Sequence, residues 1–188
     1  MESEGPRLEL GLSYLPQINL WPALPYLQNG GQGAALELRL NFQERDGFIY
    51  GLVANTEYSA EKVRVEGDSY RKLHSSANRT AIHAGIYMGG RGDVLGGYLS
   101  VMPGIDYLSG TVEEGEEGEV VTQPAGTGAV QLSIEMNAGI EVDLSGIGLQ
   151  GIALHGGLSA LVNRTPHFEA YHDFNADLRG LLGLFYRI

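Results

Sequence analysis

The sequence predicts an all-β fold in which eight antiparallel strands follow one another up and down and close into a barrel. Three observations lead to this fold class. Apolar and polar residues alternate with a period of two along most of the 188 residues, whereas helical periodicity is nearly absent. Turn sequences rich in Gly, Asn and Asp separate the alternating segments. The sequence contains no run of about 18 apolar residues, which a membrane-spanning helix would need.

Four strands are predicted in the first half of the chain. Because successive side chains of a strand point to opposite faces, the alternation gives each strand one apolar and one polar face. The clearest case sets Leu36, Leu38 and Leu40 against Glu37 and Arg39. An Asp-Gly pair marks the tight turn that follows it. The four strands span about residues 7–15, 35–43, 48–58 and 79–88.

Four further strands are predicted in the second half of the chain. The first of them is rich in glycine, and its sequence does not fix which face is polar. In the last strand the even positions from Leu178 to Ile188 are apolar residues or glycine, while Arg179 and Arg187 fall on the opposite face. The four strands span about residues 94–102, 129–140, 152–162 and 173–188.

Long and short connections alternate along the chain, as in an antiparallel meander whose two ends differ. Short turns follow strands two, four and six, and long loops follow strands one, three, five and seven. We expect residues 1–6 to be a flexible N-terminus and residues 7–188 to form a single barrel domain. The long loops are predicted near residues 16–34, 59–78, 103–128 and 163–172.

The distribution of aromatic residues favours a barrel whose apolar face meets lipid. Aromatic residues of the apolar faces lie near the predicted strand ends, and aliphatic residues lie between them. Two aromatic belts around an aliphatic band are typical of transmembrane barrels, and strands of about ten residues cross a bilayer when tilted. An alternative is a soluble, lipocalin-like carrier that binds a small apolar ligand inside. The predicted membrane-interface aromatics are Tyr14, Phe42, Phe48, Tyr50, Tyr58, Phe174 and Tyr186.

The polar faces predict a narrow lumen filled by small and charged residues. Isolated charges in such an interior would be costly, so the arginines should pair with the carboxylates. A lumen packed in this way is not a general diffusion pore. The predicted polar network comprises Arg7, Glu9, Glu37, Arg39, Glu57, His83, Glu135, His155, Asp177, Arg179 and Arg187.

The C-terminal residues Leu184-Phe185-Tyr186-Arg187-Ile188 resemble the assembly signal of bacterial outer-membrane barrels. With its eight alternating strands, the chain resembles the small barrels of this kind, which include outer-membrane protein A and the lipid A deacylases. The resemblance implies the outer membrane of a Gram-negative cell as location, with the lipid bilayer and lipopolysaccharide as surroundings. The first residues lack the basic and apolar regions of a signal peptide, so we expect them to belong to a mature exported domain.

Composition and motifs give little support to catalysis. The net charge of −11 argues against nucleic-acid binding, and the absence of Cys excludes disulfides, thiolate metal sites and cysteine nucleophiles. Lipid A deacylases carry a His-x-Ser-Asn motif on a late strand. Here Gly157 stands two residues after His155, at the position where the motif has serine. The next serine, Ser159, lies two residues further along the strand. We therefore expect no catalytic residue, metal or cofactor, although a lipid-modifying enzyme is the alternative.

The predicted function is structural or partner-binding, through the long outer loops. The first loop contains the apolar run Leu20-Trp21-Pro22-Ala23-Leu24-Pro25-Tyr26, which could dock on a protein partner. The candidate docking residues are Leu20, Trp21, Leu24 and Tyr26. The third loop contains five glutamates within residues 113–119, which we interpret as a solvated acidic segment.

Overall fold

A computed structural model of the chain describes residues 6–16, 27–45, 47–66, 72–116, 119–163 and 175–188. In this part of the chain eight β-strands form one closed antiparallel barrel, in the order of the sequence. No described helix is long and apolar enough to cross a membrane. The strands are β1 (Arg7–Pro16), β2 (Leu27–Arg45), β3 (Phe48–Glu66), β4 (Lys72–Arg91), β5 (Leu95–Glu116), β6 (Glu119–Asp143), β7 (Ile152–Asn163) and β8 (Asn175–Arg187).

The first and last strands close the barrel. Their pairing extends from Glu9 opposite Arg187 to Tyr14 opposite Leu182. The remaining neighbours are consecutive strands joined by hairpins, and a short 3₁₀ turn at Ser145–Ile147 lies between β6 and β7. The predicted fold class, an eight-stranded up-and-down barrel, is confirmed.

The apolar face of every strand lies on the outside of the barrel. Leu12 is 63% exposed, whereas Arg39 on the neighbouring strand is 1% exposed. Strand β5 follows the same rule: Ser100 and Met102 face the interior, while Leu99 and Val101 face outward. A soluble carrier needs its apolar side chains inside, so the lipocalin-like alternative was wrong.

Glycine makes room for the large side chains of the lumen. A Cβ atom at Gly11 would overlap the ring of Phe185, and one at Gly139 would lie 2.7 Å from the ring of Tyr98. A narrow eight-stranded barrel has no other space for these rings, so the small residues on the polar faces are needed for packing.

The outer ends of β2–β6 are much longer than the sequence predicted. Pairing of β3 with β4 continues to Glu66 opposite Lys72, and pairing of β5 with β6 continues to Glu116 opposite Glu119. The predicted loops near 59–78 and 103–128 were therefore wrong, and β2 begins inside the predicted loop 16–34. Outside the membrane a hairpin is held by its backbone ladder and needs no strict apolar–polar alternation, so its sequence resembles that of a loop.

The five extended strands rise beyond the ends of β1 and β7. One row across the sheet joins Gly31, Glu61, Ala77, Gly110 and Ala125. The strand segments beyond this row form the outer wall, which we define as residues 27–31, 61–66, 72–77, 110–116 and 119–125. On the opposite side of the barrel β1 ends at Pro16 and β7 at Asn163, so the described wall is one-sided.

Candidate functional site

The charged side chains of the lumen form two clusters, one toward each end of the barrel. The turn-end cluster lies near the short turns, and the hairpin-end cluster lies below the outer wall. The turn-end cluster contains Glu9, Glu37, Arg39, Arg91, Glu141, Asp143 and Arg187. The hairpin-end cluster contains Asn55, Glu57, Arg79, His83, Asp106, Ser133, Glu135, Ser159 and Arg179.

Arg39 occupies the middle of the turn-end cluster. Its Nε donates to Glu37 Oε1 at 2.5 Å, and its Nη1 donates to Glu141 Oε1. All three side chains are buried, so the ion pairs exclude solvent. Charge-assisted hydrogen bonds of this kind offset the cost of taking the guanidinium group out of water.

Three aromatic rings surround the Arg39 guanidinium. Its central carbon lies 3.9 Å from the ring centroid of Phe185, 4.3 Å from that of Tyr98 and 5.2 Å from that of Tyr87. A desolvated cation over an aromatic face contributes about 2 kcal/mol. The rings and the guanidinium together fill the cross-section of the barrel at this level.

Two further arginines link the turn-end cluster to the barrel rim. Arg91 Nη2 donates to Glu9 Oε1 at 2.6 Å, and Arg187 Nε lies 3.2 Å from the same oxygen. Arg187 also donates to Asp143, and both arginines approach Glu141 to 3.6 Å. These contacts join β1, β4, β6 and β8, which are not all neighbours in the sheet.

Arg179 organises the hairpin-end cluster. Its Nη1 donates to both oxygens of Glu57, at 2.7 and 2.9 Å, and its Nη2 lies 3.3 Å from Glu135 Oε1. Arg79 approaches Glu57 from the opposite side at 3.3 Å. Two guanidinium groups thus share two buried carboxylates across four strands.

His83 connects the cluster to β5 and β6. Its Nε2 lies 2.9 Å from Ser133 Oγ, and its Nδ1 lies 3.2 Å from Glu135 Oε2 and 3.1 Å from Asn55 Oδ1. The order Ser133–His83–Glu135 matches that of an acyl-transfer triad. However, the Ser133 hydroxyl donates to Asp106 at 2.7 Å. Because Ser133, His83 and Glu135 are each at most 3% exposed, a substrate could not reach the hydroxyl.

His155 belongs to a separate group on the turn-end side. Its Nε2 lies 2.7 Å from Ser13 Oγ, and its Nδ1 lies 3.0 Å from the Tyr98 hydroxyl. Its ring packs edge-on against Phe185. Ser159, the nearest serine along the strand, donates to Glu135 instead, at 2.9 Å. The deacylase motif is therefore matched neither in sequence nor in geometry.

Among the described residues, one group of side chains has the donor atoms to hold a metal ion. Ligand atoms of Glu57, His83 and Glu135 lie within 4.8 Å of one another. The two carboxylates already accept hydrogen bonds from Arg179, and a cation placed between them would face two guanidinium groups at close range. We therefore assign no metal to this group.

The structure places most of the predicted network residues in the lumen. Arg187 is partly exposed near the rim, and the side chain of Asp177 lies outside the described residues. Arg7, at the start of β1, is exposed. The buried members are Glu9, Glu37, Arg39, Glu57, His83, Glu135, His155 and Arg179.

Sequence reasoning missed five charged residues of the two clusters. Asp106 lies in the predicted loop 103–128, beyond the predicted end of strand five, and Glu141 lies one residue beyond the predicted end of strand six. Arg79 and Arg91 lie at or beyond the predicted ends of strand four. A longer alternating segment would have recovered them. The five residues are Arg79, Arg91, Asp106, Glu141 and Asp143.

The outward aromatic residues are exposed where the structure describes them. Tyr58 does not lie at a strand end, as predicted, because β3 continues to Glu66. Tyr107, which the prediction missed, belongs with Tyr14 and Tyr58 to one row across β1–β5. The exposed predicted residues are Tyr14, Phe42, Phe48, Tyr50, Tyr58 and Tyr186. Phe174 and the candidate docking residues Leu20, Trp21, Leu24 and Tyr26 lie outside the described residues.

Comparison with known proteins supports the fold through structure and not through sequence. No protein-family model matches the chain, and no curated protein sequence matches it. The attachment invasion locus protein Ail of Yersinia pestis, solved with the heparin analogue sucrose octasulfate, has a similar structure, with a TM-score of 0.53 and 11% identity over 98% of this chain and 100% of Ail. Neisserial surface protein A (TM-score 0.46, 10% identity, 100% and 99% covered) and the outer-membrane enzyme PagL (0.46, 14%, 95% and 98%) also match. The chain therefore has the fold of the small eight-stranded outer-membrane β-barrels.

Proposed function

We propose that the chain is a bacterial outer-membrane protein that is closed to ions and binds a macromolecular partner through its outer wall. Its apolar outside matches the hydrocarbon layer of a bilayer, and lipopolysaccharide is the expected lipid around its outer half. The lumen side chains are committed to ion pairs. The residues available to bind a partner are therefore those outside the membrane.

The length of the outer wall is the observation that carries this proposal. A tilted strand needs about ten residues to cross a bilayer, yet β5 has 22 residues and β6 has 25. The excess forms a paired sheet that projects to one side of the barrel axis. A lipid anchor alone would not need it, whereas a sheet held above a rigid barrel provides a preformed binding surface.

The charge of the wall favours a protein partner over a polyanion. Ail was solved with sucrose octasulfate, a heparin analogue. The present chain carries a net charge of −11, and the six glutamates of the outer wall outnumber its three basic residues, Lys62, Arg64 and Lys72. Because such a surface repels sulfate and phosphate groups, the expected partner is neutral or basic.

A shortened hairpin tests the proposal. Deleting 110–125 leaves Ser109 next to Gly126, so that β5 and β6 meet through a short Gly-containing turn below the wall. Vesicles with the full chain should be retained on a surface coated with polylysine or albumin, and not on a surface coated with heparin. Vesicles with the shortened chain should not be retained. Both forms should fold, which the shift in migration between unheated and heated gel samples reports.

Two results would overturn the proposal. One is equal retention of vesicles with full and shortened chains on every surface. The other is reproducible single-channel conductance of the full chain in planar bilayers, because a conducting lumen would make transport the simpler function. Empty vesicles and vesicles with the barrel proteolysed from outside serve as controls for adhesion by lipid.

We propose no enzymatic role for the chain. The hydroxyl of Ser133, the best-placed nucleophile among the described residues, donates to Asp106 and is buried. The folded chain in mixed micelles with lipid A or phospholipid should release no fatty acid. If release occurs and Ser133→Ala abolishes it while the gel shift of the folded form is retained, the partner-binding role is no longer sufficient.

A further inference from the structure

Within the part of the chain that the structure describes, the outer part of β6 has an unpaired edge. Pairing of β6 with β7 begins at Ser133 opposite Asn163 and continues only toward the short turns. On its other side β6 is paired with β5 as far as Glu119. Among the residues that the structure describes, none pairs with 119–132 on the side away from β5. The backbone N–H and C=O groups that point to this side are available to another strand.

The length of the neighbouring connection limits how much of this edge the chain itself could cover. Eleven residues separate Asn163 from Asn175, which are themselves paired. A hairpin made from eleven residues extends each strand by about five, which reaches Gly128 at most. The seven-residue segment 119–125, which is the β6 part of the outer wall, lies beyond that reach.

The sequence of this segment is that of an edge strand without strong protection. Val120, Val121 and Thr122 have high strand propensity, and no lysine lies on the edge. Pro124 is the single protective residue, and proline in a sheet is confined to edges. This position of Pro124 agrees with an edge that is unpaired in the isolated chain.

Charge defines the chemistry of a strand that would pair here. Glu119 lies on β6, and Glu113, Glu114 and Glu116 lie on the adjacent outer part of β5. The sequence from Gly92 to Asn163 contains no Lys or Arg. Lys72 of β4 lies opposite Gly115, on the side of β5 away from the β6 edge. An incoming segment that carries Lys or Arg would gain favourable electrostatic energy along the whole hairpin, whereas an acidic one would be repelled.

We infer that the edge of β6 at 119–125 captures an extended, basic segment of a partner protein, which adds as a further strand to the outer wall. This inference rests on the proposed function and specifies its binding mode. The backbone ladder supplies affinity without sequence preference, and the glutamates select for positive charge. A second copy of this chain is a poor occupant, because pairing two such edges would bring the acidic hairpins of both copies together.

Synthetic peptides test the inference directly on the full chain in detergent or nanodiscs. The probe is a fluorescent ten-residue peptide of alternating Thr and Lys. One control replaces Lys by Glu. The second keeps every charge but carries N-methyl groups on two consecutive central amides, which removes one donor from each edge of the peptide strand. The Thr-Lys peptide should bind, the N-methylated one should bind about tenfold more weakly or worse, and the Thr-Glu peptide should not bind.

A cysteine crosslink locates the peptide. Because the chain has no cysteine, Gln123→Cys provides a single thiol on β6, and Val112→Cys provides one on β5 in the same row of the sheet. With copper phenanthroline as the oxidant, a Thr-Lys peptide with one central Cys should form a disulfide with the Gln123→Cys variant. It should react much more slowly with the Val112→Cys variant, one strand further from the edge.

Each remaining outcome is decisive. Equal binding of the N-methylated peptide, or equal crosslinking at both positions, would show that charge alone acts and would overturn strand addition. Strand addition by a partner would also be overturned if two copies of this chain formed a concentration-dependent dimer that the Thr-Lys peptide did not dissociate. If the Thr-Lys peptide fails to bind while vesicles still adhere to a coated surface through the wall, the inference is wrong and the proposed function stands. If adhesion is absent as well, both fail.

Discussion

At the scale of single residues, the lumen shows how a narrow barrel tolerates buried charge. Arg179 and Arg79 share Glu57, and Arg39 holds Glu37 and Glu141 within a ring of aromatic side chains. Each carboxylate loses its hydration on folding, and only a hydrogen-bonded partner offsets that cost. The net contribution of such a pair to the free energy of unfolding is small. Truncating one partner nevertheless lowers the free energy of unfolding much more, because it leaves the other charge buried without a partner.

Arg179→Ala should be among the most destabilising single changes in the chain. It leaves Glu57 and Glu135 buried with one guanidinium group fewer, and we expect a loss of about 3–5 kcal/mol in the free energy of unfolding. Denaturant unfolding in detergent micelles, followed by the circular dichroism of the β-strands, measures it. The matched control is Arg7→Ala, whose exposed side chain should contribute less than about 1 kcal/mol. Similar losses for both variants would contradict the buried network.

Glycine substitutions on one sheet should separate packing from backbone effects. Gly139→Ala places a methyl group 2.7 Å from the Tyr98 ring and should cost about 1–3 kcal/mol. Gly97→Ala, on the facing strand, has its nearest neighbour 3.6 Å away and should be neutral or slightly stabilising. The difference in unfolding midpoint between the two variants is the measurement. A Gly97 variant that is the less stable of the pair would show that Tyr98 does not fill the lumen as described.

At the scale of elements, each of the strands β2–β6 has two parts that follow different rules. The membrane part alternates strictly, because one face meets lipid and the other a polar lumen. The outer part is held by the backbone ladder and does not need this alternation. The row formed by Leu184, Leu12 and Leu36 belongs to the first kind, and all three side chains are exposed on the outside.

A charge introduced on the outer face should therefore act according to its position along the strand. Leu12→Arg, in the middle of β1, should cost about 2–4 kcal/mol when the chain is folded into phospholipid vesicles. Val130→Arg, on the outward face nearer the outer wall, should cost less than about 1 kcal/mol. The fraction that migrates as folded protein without heating reports insertion across a urea series. Equal effects at both positions would argue against a lipid-facing β1.

The same two rules explain what sequence analysis could and could not predict. The membrane parts of β1, β2, β7 and β8 follow from alternation, and so does the inward position of Glu37 and Arg39. The extension of β2–β6 does not, because residues such as Glu113 and Glu114 interrupt the pattern without interrupting the ladder. Asp106 was missed for the same reason: it lies in the predicted loop 103–128, through which β5 continues as a strand. The partnership of Arg179 with Glu57, far apart in sequence, needs the closed barrel.

At the scale of the whole molecule, the barrel is a rigid support with a filled interior. The side chains around Arg39 and those around Arg179 fill the lumen at two levels, and the outer wall adds a sheet on one side. This arrangement separates anchoring from recognition. Changes in the wall should leave the stability of the membrane part unaffected, and changes in the lumen should leave binding at the wall unaffected.

Because the interior is occupied by side chains, we expect the barrel not to conduct ions. The full chain in planar bilayers should show no conductance steps above background in concentrated KCl, because desolvated ions would have to displace buried ion pairs. Arg39→Ala removes the side chain that joins three rings and two carboxylates, and it should give brief, cation-selective openings. Selectivity for anions in this variant would contradict the assignment of Glu37 and Glu141 to the same cavity.

The closing seam determines the order in which the molecule can be built. Strands β1 and β8 meet only from Glu9 to Tyr14, while most other neighbours are paired over a longer stretch. Because these two strands are the first and the last of the barrel, the seam cannot form before β8 has been synthesised. Among the described residues it is also the shortest pairing between neighbouring strands. We therefore expect a biogenesis intermediate that is already a curved sheet of eight strands, in which β1 and β8 are not yet paired. The pairing between β1 and β8 should also be the first to break when the barrel is extracted from its membrane.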